Sequence, residues 1–95
     1  MKDIDYKFKD RVIIHSGIAL FTKSDAIDFI NECEIRHIEI LGIDAFYLST
    51  DTIEPSMDNS IDFSSSEASN FHDYSLAKKF LQSRSDSLFF EVVHS

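Results

Sequence analysis

Residues 26–48, AIDFINECEIRHIEILGIDAFYL, change their apolar period part-way along, and that change decides the fold class. Ala26, Phe29, Ile30 and Cys33 fall at i, i+3, i+4 and i+7, which puts them on one face of a helix. Thr22 or Ser24 suits the N-cap, and Asp25 and Asp28 sit in the first turn, where the helix dipole favours acids. The spacing predicts a helix from about Ser24 to Glu34, with Arg36 and His37 at its negative end. From His37 to Leu48 the chain is rich in Ile, Leu, Phe and Tyr and predicts the best strand. Ile38 and Ile40 occupy one parity and Leu41 and Ile43 the other, as in a central strand covered on both faces near its start. Gly42 marks a bulge.

Working outward, residues 49–63 turn polar and acidic before the chain resumes apolar at Ile61, with a shorter strand expected around Ser60 to Ser64. A stretch of that kind inside a small domain reads as a loop that is either functional or disordered. Leu76, Ala77, Phe80 and Leu81 form a second helical stripe with Lys78, Lys79 and Gln82 outside it. This predicts a helix from about Tyr74 to Ser83, capped by Asp73. The closing SLFFEVV, Ser87 to Val93, is a run of β-formers expected inside the sheet, since on an edge it would be sticky. At the other end Ile4, Tyr6 and Phe8 alternate with Asp5, Lys7 and Lys9, and Val12 to Ile14 follow. This reads as an N-terminal strand or two, broken at Gly17. The expected architecture is α+β: two helices packed on one face of a small, mainly antiparallel sheet of three to five strands.

The length of 95 residues bounds this to a single domain, 1–95, with one modest core and no deep cleft walled by a second lobe. Nine phenylalanines exclude a wholly disordered chain, and two glycines with one proline argue against a turn-rich sandwich or barrel. Cys33 is alone, which excludes a disulfide framework and fits a buried thiol in a reducing cytosol. No secretory signal opens the chain and no apolar run approaches the length of a membrane span. A cytoplasmic protein without membrane association is expected.

The net charge of −8 is segregated along the chain. From His37 to Ala77 there is no Lys or Arg, against eight acids: Glu39, Asp44, Asp51, Glu54, Asp58, Asp62, Glu67 and Asp73. The flanks cancel, so the whole excess lies in the middle. Direct nucleic-acid binding is disfavoured, because phosphates need clustered Lys or Arg.

Reactive groups are sparse. The four histidines lack a metal-type partner at i+3 or i+4, and the chain holds no nucleophile elbow or phosphate cradle. They read as surface or capping residues. His72 beside Asp73 is the one pairing that resembles acid-base apparatus, yet neighbours in an extended chain point to opposite faces. Asp51, Glu54, Asp58 and Asp62 lack the alternate spacing and central glycine of a calcium loop and read as a solvated surface. No enzyme, catalytic residue, metal or cofactor is expected. Asp44, Phe46 and Leu48 share one strand parity, and an acid among apolar groups suits an interface; the alternative is that Phe46 and Leu48 are core and Asp44 caps a backbone group. Tyr47, Phe71, His72 and Tyr74 lie in or beside the acidic segment, as aromatic anchors for a cationic partner would; the alternative is that they are buried aromatics of the core.

The run quoted above, with ILGID at Ile40 to Asp44, the acidic and serine-rich stretch after it, and then SLAKKFLQSRSDSLFFEVV, resembles the small immunity proteins of bacterial tRNA-cleaving toxins, from bacteriocins and contact-dependent growth inhibition systems. The likeness covers about Ser24 to Val93 and rests more on the order of elements than on letters. It implies a cytosolic, non-catalytic, stoichiometric inhibitor that covers the active cleft of a cognate basic RNase domain in a one-to-one complex. The candidate partner-binding residues are Asp44, Phe46, Tyr47, Asp51, Glu54, Asp58, Asp62, Phe71, His72 and Asp73. The alternative is an acidic module or nucleic-acid mimic that inhibits another basic nucleic-acid-binding protein.

Overall fold

The change of period near His37 sets the centre of the molecule. The computed structural model describes residues 3–50, 52–63 and 74–95. Its elements are α1 (Asp3–Lys7), β1 (Ile13–His15), β2 (Ile18–Leu20), α2 (Lys23–Arg36), β3 (Ile40–Leu48), β4 (Ile53–Asp62), α3 (Tyr74–Gln82) and β5 (Phe89–His94). β3 is central in an antiparallel sheet of order β4-β3-β5, and β1 and β2 form a separate antiparallel pair. The fold is α+β, as the sequence predicts.

Thr22 caps α2 by accepting a hydrogen bond from the Asp25 N–H at 3.3 Å. The helix stops at His37, whose left-handed φ of 58° lets the Ile38 N–H return to the Cys33 carbonyl at 2.8 Å. All four stripe residues, Ala26, Phe29, Ile30 and Cys33, are buried. They meet Ile40, Ile43 and Ala45 of β3, Phe90 and Val92 of β5, and Ala77 and Leu81 of α3 in one core. Among the described residues that core lies on the helix-bearing face of the three-stranded sheet.

Four expectations change. Ile4 and Phe8 belong to a helical turn, not a strand: both are buried while Tyr6 is 60% exposed, and the Phe8 N–H bonds back to the Ile4 carbonyl. Residues four apart share a face in either conformation, so the sequence pattern was degenerate here. The second part of the N-terminal reading fits the structure: β1 and β2 turn at Ser16 and Gly17, both with positive φ, as a two-residue hairpin requires. In α3 the inward position belongs to Tyr74, whose hydroxyl donates to the Ile38 carbonyl at 2.9 Å, and Leu76 is 42% exposed. Burial raises the Tyr74 hydroxyl above its ordinary pKa.

β5 lies at the edge of its sheet rather than inside it. A single bridge, Phe21 with Phe90, shields that edge, with α1 and the hairpin packed alongside. The polar stretch expected as a loop is mostly strand: β4 runs from Ile53 to Asp62 and pairs with β3 from Leu48 back to Gly42. Pairing to a central strand satisfies its backbone, so its side chains are free to be polar. Pro55 lies on this edge strand, where a missing N–H costs least.

Candidate functional site

The face of the sheet opposite the helices is assembled by register. With Ile43 and Ala45 turned into the core, Asp44 and Phe46 must point the other way. Their partners in β5 follow: Asp44 stands opposite Glu91, and Phe46 opposite Phe89. Gly42 lets the strands close, since a Cβ there would sit 3.0 Å from the Ile61 carbonyl oxygen.

β4 departs from plain pairing in the middle of this face. Ile43 pairs with Ile61 and Ala45 with Ser56, so one residue of β3 faces four residues of β4, 57–60. This excursion is tied down from inside. The Ser60 hydroxyl accepts from the Ala45 N–H at 2.9 Å and donates to the Ser56 carbonyl at 2.8 Å, replacing the missing ladder partner. Asn59 donates to the Ser56 hydroxyl at 2.8 Å and accepts from Arg84 at 3.3 Å, while Arg84 stacks on Phe80 of α3. The excursion carries Met57 outward, 80% exposed, beside Asp58.

Between the excursion and β5 lies an open concavity of about 440 Å³, lined by Leu41, Asp44, Met57, Ser60, Asp62 and Val93. Its floor is apolar and its charges are acidic. Asp44 and Glu91 form a cross-strand pair of like charge, an arrangement that destabilises a sheet unless something compensates. The Glu91 carboxyl is pushed above its ordinary value by burial first and by the charge of Asp44 second. Among the described residues neither acid has an ion-pair partner.

The Lys and Arg side chains that form ion pairs lie elsewhere. Lys7 and Arg36 both hold Glu32, at 2.8 and 2.7 Å, Arg11 reaches Asp28 at 3.1 Å, and Lys78 reaches Glu34 at 3.2 Å. Glu32 accordingly titrates below its ordinary value, held first by the Lys7 hydrogen bond and then by that of Arg36. All these partners lie on α2. The charge segregation seen along the chain thus becomes a segregation between faces.

No family model, curated protein or solved structure matches the chain. The functional reading rests on this face alone. Of the residues singled out from sequence, Asp44 and Asp62 line the concavity, and Phe46 shares the face but is only 8% exposed. Tyr47 and Glu54 are opposed across β3 and β4 on the other parity, with Tyr47 48% exposed, and Asp58 rides on the excursion. Asp51, Phe71, His72 and Asp73, with the expected Asp73 cap, lie outside the described residues. Met57, Glu91 and Val93 were not singled out. The available signal was one large apolar residue in an acidic run and one acid in an apolar run.

Among the described residues no group of three or more His, Cys, Asp or Glu is placed to hold a metal ion. No described helix is long and apolar enough to cross a membrane.

Proposed function

We propose that this chain is a cytoplasmic, non-catalytic inhibitor of immunity-protein type, which docks the outer face of its sheet on the cleft of a cognate basic RNase toxin. The observation that carries the reading is the uncompensated Asp44 and Glu91 pair set among exposed apolar side chains. An acid pair that costs the free protein stability is compensated when a partner supplies Lys or Arg. Met57, Leu41 and Val93 then provide the apolar contact that a charged rim alone lacks. A cleft built to hold phosphates is complementary to both features, and such attraction speeds encounter toward roughly 10⁸ to 10⁹ M⁻¹s⁻¹ at low salt. The interface is expected on the order of 1,600 Å².

Mixing the protein with the nuclease domain of the toxin encoded beside it should give a one-to-one complex and stop RNA cleavage. Absence of both binding and protection would end the proposal. Within it, Met57→Ala should leave stability within about 0.5 kcal/mol, because the side chain is exposed, yet raise Kd on the order of tenfold through faster dissociation. Surface plasmon resonance beside a thermal melt separates the two effects.

A further inference from the structure

β2 and β5 meet at one bridge and then part. The Phe21 N–H donates to the Phe90 carbonyl and the Phe90 N–H to that of Phe21, each at 2.8 Å. In an antiparallel ladder such exchanging pairs recur at every second residue. The next pair in this register is Ala19 with Val92. Among the described residues it does not form, and β2 and β5 have no further rung. Both residues instead line a second cavity, of about 240 Å³.

Alternation fixes what the cavity is offered. Phe90 directs its N–H and C=O toward β2, so Glu91 directs its own toward β3 and Val92 turns back toward the gap. The wall is apolar, made by Phe8, Phe21 and Phe29, whose rings pack edge-on or tilted with centroids 4.9 to 6.0 Å apart. Ile14, 65% exposed, also lines it. The charged groups facing the gap are Asp5 and Glu91, with the His94 imidazole 3.8 Å from Asp5.

The geometry points to this seam as a strand-addition site, which takes an extended peptide segment with an apolar residue between basic ones. Open backbone groups in register call for another backbone, which a small apolar ligand does not provide. The aromatic wall accepts every second side chain of such a strand, and Asp5 and Glu91 select Lys or Arg for the others. A second copy of this chain is a poorer occupant. It would bring its own Asp5 and Glu91 to the same acids. The seam is separate from the outer face, although Glu91 borders both, so each reading stands or falls alone.

The test uses the full chain labelled with ¹⁵N and a blocked Lys-Val-Lys-Val-Lys peptide. Its addition should shift the Ala19 and Val92 amide signals and slow hydrogen exchange at Val92. Two changes should each weaken this on the order of tenfold or more: Ala19→Trp, which fills the gap, and replacement of every peptide Lys by Glu. Ile14→Lys, at an exposed position, should reverse the preference toward the Glu peptide, and circular dichroism reports whether either variant has kept the fold. The proposal is overturned if the Val92 amide is already protected in the free protein, if both peptides bind equally, if shifts appear only around Asp44 and Met57, or if the chain pairs with itself instead.

Discussion

Glu91 carries a conflict between the burial of a carboxylate and its like-charged neighbour. Its neighbours Phe90 and Val92 are core, and its own position faces outward opposite Asp44. Because burial and then Asp44 raise its carboxyl pKa, the folded chain holds that proton to higher pH than the unfolded chain does. Wherever the folded state binds more protons, stability falls as pH rises. The contribution is whole below the ordinary glutamate range, near pH 4, and is lost as pH climbs through the raised folded value. Glu91→Gln should therefore raise the melting temperature at pH 7 and lose that advantage by about pH 4. Asp44→Asn should give a smaller gain of the same sign, since Asp44 is the lesser cause. An advantage for Glu91→Gln that is equal at both pH values would point to packing rather than ionisation. In the proposed complex the sign of the comparison reverses: the variant that is more stable alone should bind a basic partner less well.

Among the elements, β4 depends most on side chains to hold its course. Ser60 stands in for a backbone group, so Ser60→Ala removes two hydrogen bonds at once and leaves the Ala45 N–H without its acceptor. A cost of about 1 to 3 kcal/mol is expected in chemical denaturation, with faster amide exchange at Ala45, and Ser60→Thr should restore most of both. The same element shows what the sequence could reveal. α2 was legible because capping, dipole charges and a four-residue apolar stripe all agree, and β3 because its apolar run is long. β4 was not, because an edge strand with one polar face and a four-residue excursion has no period of two to detect. The edge position of β5 was hidden for a different reason. Its outer side is covered in part, at the Phe21–Phe90 bridge, by the segment that includes α1 and the hairpin, and the pattern of α1 fits a strand as well as a helix. Of the candidate site, the acids of β3 and β4 were visible but Glu91 and the geometry were not: sequence placed Asp44 and Phe46 on one face, but the register that opposes Asp44 to Glu91 belongs to pairing between strands distant along the chain.

At the scale of the whole molecule, the net charge of −8 matters through its placement. Lys7, Arg11, Arg36 and Lys78 on the helix side are locked to acids of α2, and screened pairs of that kind add little to stability. What they do is remove positive charge from the molecule's outward field, so that the acids of β3, β4 and β5 dominate what an approaching protein meets. Asp58 and Asp62 are exposed on β4, Asp58 on the excursion and Asp62 on the lining of the concavity. Reversing both to Lys takes the net charge to about −4 and should leave the melting temperature nearly unchanged, as surface substitutions do. Association with a basic partner should slow by on the order of tenfold at low salt, with a flatter dependence of the rate on ionic strength, while dissociation changes far less. Adding two positive charges on exposed positions of α3, Ser75→Lys with Gln82→Lys, should move the rate much less, because those residues lie on the helix side. Stopped-flow traces across a salt series compare the pairs of variants directly. Slowing by the α3 pair of about half the logarithmic size, in proportion to its two added charges against four, would mean that only net charge matters, and no slowing by either would remove the acidic face from the encounter.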